Sequence, residues 1–187
     1  MKLPIAKYGD PILRAKGKRV AKIDDEMREL AFNMLETMHA ANGVGLAAQQ
    51  IGQALQLTVL DISQVEDRPS TMKLSGKEVD PIASMPLILV NPELEMGEEE
   101  ILGSEGCLSI PDITADVMRS FSVTAHALTL DDEEIEIEAT GLLARALQHE
   151  VDHLNGILFI DRISSAAKAS LASRLKRMQK ETQRVML

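Results

Sequence analysis

Two histidines four residues apart, His149 and His153, lie in a leucine- and alanine-rich stretch near the C-terminal end of the chain. Around a helix such residues point about 40° apart, so both imidazoles face one way. Leu142, Leu143, Ala146, Leu147, Val151 and Leu154 predict a buried helix from about Gly141 to Leu154, stopped by Asn155-Gly156. Surface or capping histidines can show the same spacing, but imidazoles on a buried helix are costly unless they find partners. A transition metal is one such partner. Glu150, directly after the first histidine, can then act on water at that metal. A fold for this chain must therefore bury this helix and bring a further ligand to it.

Catalytic sites of this kind take about three protein ligands and keep one position for water. Continuation as His-x-x-Gly-x-x-His fails, because Phe159 stands at the last position and no histidine follows His153. A downstream glutamate would have to be Glu181, on a basic segment that suits an exposed helix. Cys107 is the remaining good candidate. Its thiolate is a soft, strong ligand, although a lone cysteine is more often a small buried hydrophobe.

The other elements follow from periodicity and turn residues. Asp24 and Asp25 can cap a helix carrying Met27, Leu30, Ala31, Met34, Leu35 and Met38 to about Ala40, with Asn42-Gly43 ending it. Strands are expected over Leu57–Ile62 and Leu87–Val90, the second ended by Asn91-Pro92. Two more are expected over 120–130 and 134–138, with a turn at Asp131-Asp132. Residues 63–86 read as an exposed loop, Glu93 to Glu100 as a solvated hairpin or strand edge, and the stretch around Cys107 as irregular. A last amphipathic helix starts near Ser164 or Ser165, with Leu171, Leu175, Met178 and Val185 on one face. The order predicts one α+β domain: antiparallel or mixed sheets around a central helix bearing the histidines, with residues 1–163 as its body and 164–187 as a basic C-terminal helix. Gly43-x-Gly45-x-x-Ala48 also fits a dinucleotide fingerprint, but a helix rather than a strand precedes it and Gly52 cuts the following segment short.

The net charge of −9 divides unevenly: residues 162–187 hold seven Lys or Arg against Glu181 alone, leaving −15 on the rest. With 2% aromatic residues as well, sequence-specific nucleic-acid binding is not expected. The basic tail can still dock on an acidic or RNA surface, or simply be a solvated face. No apolar run approaches the roughly 20 residues of a membrane span. Met1 to Ile5 lacks a signal-peptide core and there is a single cysteine, so a cytoplasmic protein is expected.

Gly43-Val44-Gly45-Leu46-Ala47-Ala48-Gln49-Gln50, Glu105-Gly106-Cys107-Leu108-Ser109 and Gln148-His149-Glu150-Val151-Asp152-His153 resemble, in that order, the three signature motifs of the peptide deformylase family. Tyr8 to Arg14 and Val90-Asn91-Pro92 extend the likeness over most of the chain. The resemblance implies removal of the formyl group from the N-terminal formylmethionine of nascent polypeptides, by attack of metal-bound water or hydroxide. It implies Cys107, His149 and His153 as ligands of one divalent ion, Fe2+ in the cell, although Zn2+, Ni2+ or Co2+ suit the same donors. Glu150 would be general base and then acid, and Gln50 and the Leu108 amide would be oxyanion donors. Val44, Gly45 and Gly106 would present backbone to the peptide. Leu142, Arg145 and Ala146, with Val44, would line the methionine pocket, Arg145 keeping its head in water. The basic C-terminal helix would dock near the ribosomal exit. Thr114 stands where family members commonly carry an arginine near the substrate, which puts peptide-side affinity in question. Arg119 could pair with Glu105 or be a surface charge. His39 and His126 match no motif and read as helix-end and strand-surface residues.

Overall fold

The computed structural model describes all residues, Met1–Leu187. Helix α1 (Asp25–Ala40) begins where Asp24 accepts a hydrogen bond from the Met27 amide, and it buries Ala31, Met34 and Met38. Strands β1 (Gly45–Ala47), β2 (Leu57–Leu60), β3 (Ser70–Leu74), β4 (Lys77–Val79) and β5 (Leu87–Met96) come next. They are followed by β6 (Glu100–Cys107), β7 (Ile110–Ser120), β8 (Ser122–Leu128) and β9 (Glu134–Thr140). Helices α2 (Gly141–Leu154) and α3 (Ser165–Met186) end the chain. Seven strands form one antiparallel sheet in the order β1-β2-β5-β8-β9-β3-β4, and β6 and β7 form a separate hairpin. The α+β architecture is as expected.

Three apolar clusters hold these layers together. Leu142, Leu143, Ala144 and Leu147 of α2 pack on Leu60, Met72, Leu89, Val123, Ala125 and Ile137 from the large sheet. Helix α1 closes a second cluster with Leu46, Leu57, Val59 and Val90. Leu175 of α3 joins Leu13, Ile110, Ile113, Val117 and Phe159 in the third. At about 25 cal/mol per Å² of apolar surface, each fully buried leucine contributes roughly 2 kcal/mol. Leu171 and Met178 pack beside Leu175, but Val185, near the end of α3, is exposed.

Three expectations need correction. Residues 63–86 are not all loop: β3 and β4 form a hairpin whose Ser75 and Gly76 both have positive φ (48° and 80°), the signature of a two-residue primed turn. That hairpin extends the large sheet beyond β9. Asn91-Pro92 does not end β5 either. Asn91 takes φ 52° within a bulge between Val90 and Glu93, its side-chain amide bonds both backbone groups of Val20, and the strand continues to Met96. The stretch around Cys107, expected to be irregular, is the end of β6 and the tip of its hairpin.

Candidate metal centre

Helix α2 lies beneath the sheet with its histidine face turned toward the β6–β7 hairpin. Gln148 fixes that alignment by bonding the Ser120 amide through Oε1 and the Ser120 carbonyl through Nε2 (3.0 and 2.9 Å). Cys107 sits at the hairpin tip, where the register shifts between Gly106 and Cys107. The tip is tied down from outside: the Tyr8 amide bonds the Ser109 carbonyl, and Lys7 Nζ donates to the Leu108 carbonyl at 2.8 Å.

Cys107 Sγ, His149 Nε2 and His153 Nε2 consequently converge, all within 4.8 Å of one another. Sγ lies 3.3 Å from His153 Nε2, which lies 3.2 Å from His149 Nε2. Tetrahedral ligands at ordinary metal–nitrogen and metal–sulfur lengths would stand about 3.4 Å (N to N) and 3.6 Å (N to S) apart. Two of the three separations lie close to these values and the third within 4.8 Å, so the donor set fits a single ion after small side-chain adjustments. Burial and the neighbouring His149 charge push the His153 pKa well below the imidazole range. Burial also opposes charge on His149, but hydrogen bonds to Cys107 and Glu105 outweigh it and raise that pKa.

Glu105 is the hub behind the ligands. It accepts from Arg119 Nε (2.8 Å) and Nη2 (2.9 Å), from Arg145 Nη1 (2.8 Å) and from His149 Nδ1 (2.8 Å). Burial alone would raise its pKa; Arg119 and His149 overcome that and hold the carboxyl well below the usual range. The bond to Nδ1 leaves Nε2 as the outward ligand atom of His149. Arg119 continues the network to Asp152, which also receives Arg162 through two bonds (2.6 and 2.8 Å). Arg119 is thus a buried pairing residue and not a surface charge. Arg145 departs from expectation as well: its head is buried, bonding Glu105 and the carbonyls of Val117 and Ile101 at 2.8 Å each. Gly103 makes room for that guanidinium, since a Cβ there would come within 2.8–3.0 Å of it.

Glu150 is buried on the cleft side of α2, with Oε1 4.0 Å from His149 Nε2 and Oε2 without any partner. Burial pushes its pKa up to about 7, and the His149 charge takes back only part of that rise. Gly45 is required beside it, because a Cβ at that position would lie within 2.8 Å of Glu150 Cγ and Cδ. Gln50 follows in the short helix Ala48–Ile51. Its Oε1 accepts from the Ala47 amide (2.9 Å), which turns Nε2 toward Ser109 Oγ (3.1 Å) and Cys107 Sγ (3.5 Å).

These groups open into a cleft of about 520 Å³ lined by Val44, Gly45, Gln50, Gly106, Cys107, Leu108, Leu142, Arg145, Ala146, His149 and Glu150. The structure thus brings together all the candidate residues, with His153 buried behind the cleft wall. Thr114 also lines the cleft, whereas Glu181 lies on α3 outside the ligand cluster. His39, in the last turn of α1, pairs with Asp61 (2.8 Å), and His126 is an exposed side chain on β8. Sequence reasoning missed the wider reach of Glu105 and the role of Asp152. The signal available for Asp152 was an acid one helical turn after His149 on a buried helix.

A family model for polypeptide deformylase matches residues 2–169. A peptide deformylase of Thermodesulfovibrio yellowstonii is 43% identical over 174 residues, covering 93% of this chain and 96% of that protein. One from Opitutus terrae is 42% identical over 184 residues, covering 97% and 95%. Among solved structures, a plant peptide deformylase superposes with a TM-score of 0.84 at 34% identity, covering 99% of this chain and 94% of that one. The peptide deformylase of Thermotoga maritima gives 0.75 at 36% identity, covering 88% and 99%. With its Cys/His/His cluster and three motifs in order, the chain belongs to the polypeptide deformylase family.

Proposed function

We propose that Cys107, His149 and His153 hold one divalent ion, ferrous iron in the cell, and that Glu150, Gln50 and Leu108 perform the chemistry beside it. The activity is that of the family: a metal-dependent hydrolase that removes the formyl group from N-formylmethionine peptides of nascent chains. When bound, the ion polarises the formyl oxygen and acidifies water. Glu150 takes the proton of the attacking water and passes it to the departing amine as the carbon–nitrogen bond breaks, leaving formate and a free N-terminus. The Gln50 amide and the Leu108 backbone N–H donate to the developing oxyanion, each worth about 3 kcal/mol. Val44, Gly45 and Gly106 offer backbone to an extended peptide. Leu142 and Ala146 form apolar wall for the methionine side chain, and Arg145, its head held on Glu105, lines the same cleft.

One observation carries this assignment. Glu150, whose Oε1 lies 4.0 Å from His149 Nε2, and the Gln50 amide both stand beside the convergent ligand atoms at the floor of one cleft. Formate release from a short formyl-methionyl peptide, by anaerobically prepared protein with its metal counted, tests it. Release with about one ion per chain is expected; a fully loaded protein that releases none would sink the assignment. Iron as the working metal predicts loss of activity within hours in air and retention when nickel or zinc replaces it.

The basic helix α3, within the same domain as residues 1–163, is the proposed ribosome-docking element. Lys176 and Lys180 stand on its outer side, and reversing both charges should weaken ribosome binding in a salt-dependent way. Unchanged affinity would remove the idea. No helix is long and apolar enough to cross a membrane, which accords with action in the cytoplasm.

A further inference from the structure

The cleft does not end at the ligand cluster. Lys7, Pro111, Asp112 and Ile113 line both the cleft and a second groove of about 580 Å³ that runs on along α3. The far wall of that groove is the inner side of the helix, including Arg174, Arg177 and Met178. We propose that this groove receives the continuing chain of the formyl-methionyl substrate and favours acidic side chains there. The inference rests on deformylation in the adjoining cleft.

Continuity is the first argument. A nascent chain is far longer than the cleft that holds its first residues, and at about 3.3 Å per extended residue it must leave along some surface. The second groove shares Lys7, Pro111, Asp112 and Ile113 with the cleft, so a chain leaving past Lys7 and Asp112 comes to it next.

Charge is the second. Lys7, Arg174 and Arg177 face this groove against Asp112 and Glu181, and none of the five forms an ion pair. Lys7 donates to the Leu108 carbonyl (2.8 Å) and Arg174 to the Asp112 carbonyl (2.7 Å), neutral partners that leave both positive charges standing. The Arg177 guanidinium makes no hydrogen bond. Buried Ile113 and half-buried Met178 supply an apolar floor for the stem of the incoming residue.

The helix keeps this role apart from ribosome docking. At 100° per residue, Lys176 and Lys180 lie roughly 160° and 120° from Arg174, on the side away from the groove.

The test compares kcat/KM of the metal-loaded full chain, at low salt, on formyl-Met-Ala-Ser and on serine-extended versions of it. Each extension carries an Asp-Asp, Ser-Ser or Lys-Lys pair at successive positions. At some position the Asp-Asp peptide should exceed the Lys-Lys peptide on the order of fivefold, through KM, and the ratio should shrink in high salt. An Arg174→Glu/Arg177→Glu variant should reverse the ranking, whereas Lys176→Glu/Lys180→Glu, an identical change in net charge, should preserve it. No ranking by charge in the unsubstituted protein, or equal shifts from both variants, would overturn the proposal. Because the first comparison needs no substitution, misfolding of a variant cannot mask the answer. Failure to turn over formyl-Met-Ala-Ser would instead strike the deformylase reading itself.

Discussion

The half of the site built on Glu105 and the half built on Glu150 meet at His149, and their hydrogen bonding is opposite. Glu105 receives Arg119, Arg145 and His149, so every lone pair facing the interior is used and its carboxyl is held ionised. Glu150, just as buried, has one oxygen with no partner and a pKa raised to about 7. Both carboxylates lie within reach of the same imidazole, so proximity to His149 does not explain the difference. The difference lies in what bonds them: Arg119 and Arg145 both donate to Glu105, whereas no arginine bonds Glu150. A saturated carboxylate can only hold a ligand in place, whereas an unsaturated one can exchange a proton. The site thus separates positioning from chemistry across the width of one helix.

The largest expected effect comes from removing the chemical half. Glu150→Ala should lower kcat by roughly 10²- to 10⁴-fold while metal content and unfolding midpoint stay near those of the unsubstituted protein. If metal content fell in parallel, Glu150 would belong with the positioning half. Breaking that half should instead damage stability. Glu105→Gln leaves Arg145 buried without its anion and Arg119 with Asp152 alone, a loss of roughly 3–5 kcal/mol in denaturant unfolding. The sign with pH follows from the lowered carboxyl. Glu105 contributes stability above its ordinary value of 4.5 and loses it progressively as pH falls below that. Glu105→Gln should therefore flatten the acid side of the stability curve. A curve unchanged in shape would mean that other carboxylates carry acid unfolding.

Ligand removal acts between these extremes. At about 100 times its dissociation constant a bound ion stabilises the folded chain by about 2.7 kcal/mol. Chelation should lower the melting temperature correspondingly, and Cys107→Ala should abolish the metal-dependent difference. If the difference survived in Cys107→Ala, a ligand set without the thiol would have to replace the one proposed.

The positioning half was the harder one to read from sequence. Helical spacing showed α1, α2 and α3, and the paired histidines showed which face of α2 mattered. From sequence the stretch around Cys107, Gly103 to Gly106 included, reads as irregular. In the structure Gly103 is there because the Arg145 guanidinium occupies the space a Cβ would need. That requirement comes from a residue 42 positions away and leaves no local trace. The same long range hid Arg145, which reads as a snorkelling surface arginine on an apolar helix until β6 is laid across it. Ser75-Gly76 is different, a primed-turn dipeptide whose signal is local but sits among polar neighbours that read equally well as loop.

The smallest effect is a single proton, and it tests the comparison most directly. In the metal-free protein Glu150 should titrate near pH 7, followed as the carboxylate stretch in the infrared difference between the protein and Glu150→Gln. A carboxyl whose folded pKa lies above its ordinary 4.5 favours the folded state least when ionised. Its influence on metal-free stability is thus a decline as pH rises from about 4.5 to about 7, the reverse of the Glu105 effect and spread over the next pH range. Glu150→Gln should remove that decline and leave the acid side intact. Adding the divalent ion places positive charge in front of the carboxylate and must draw the pKa down. The infrared midpoint should therefore move to lower pH on loading, and the acid limb of kcat/KM should follow the loaded value. A midpoint that stayed near 7 with the ion bound would show that Glu150 does not feel the metal charge, and the division between the two carboxylates would then have to be explained without a shared centre.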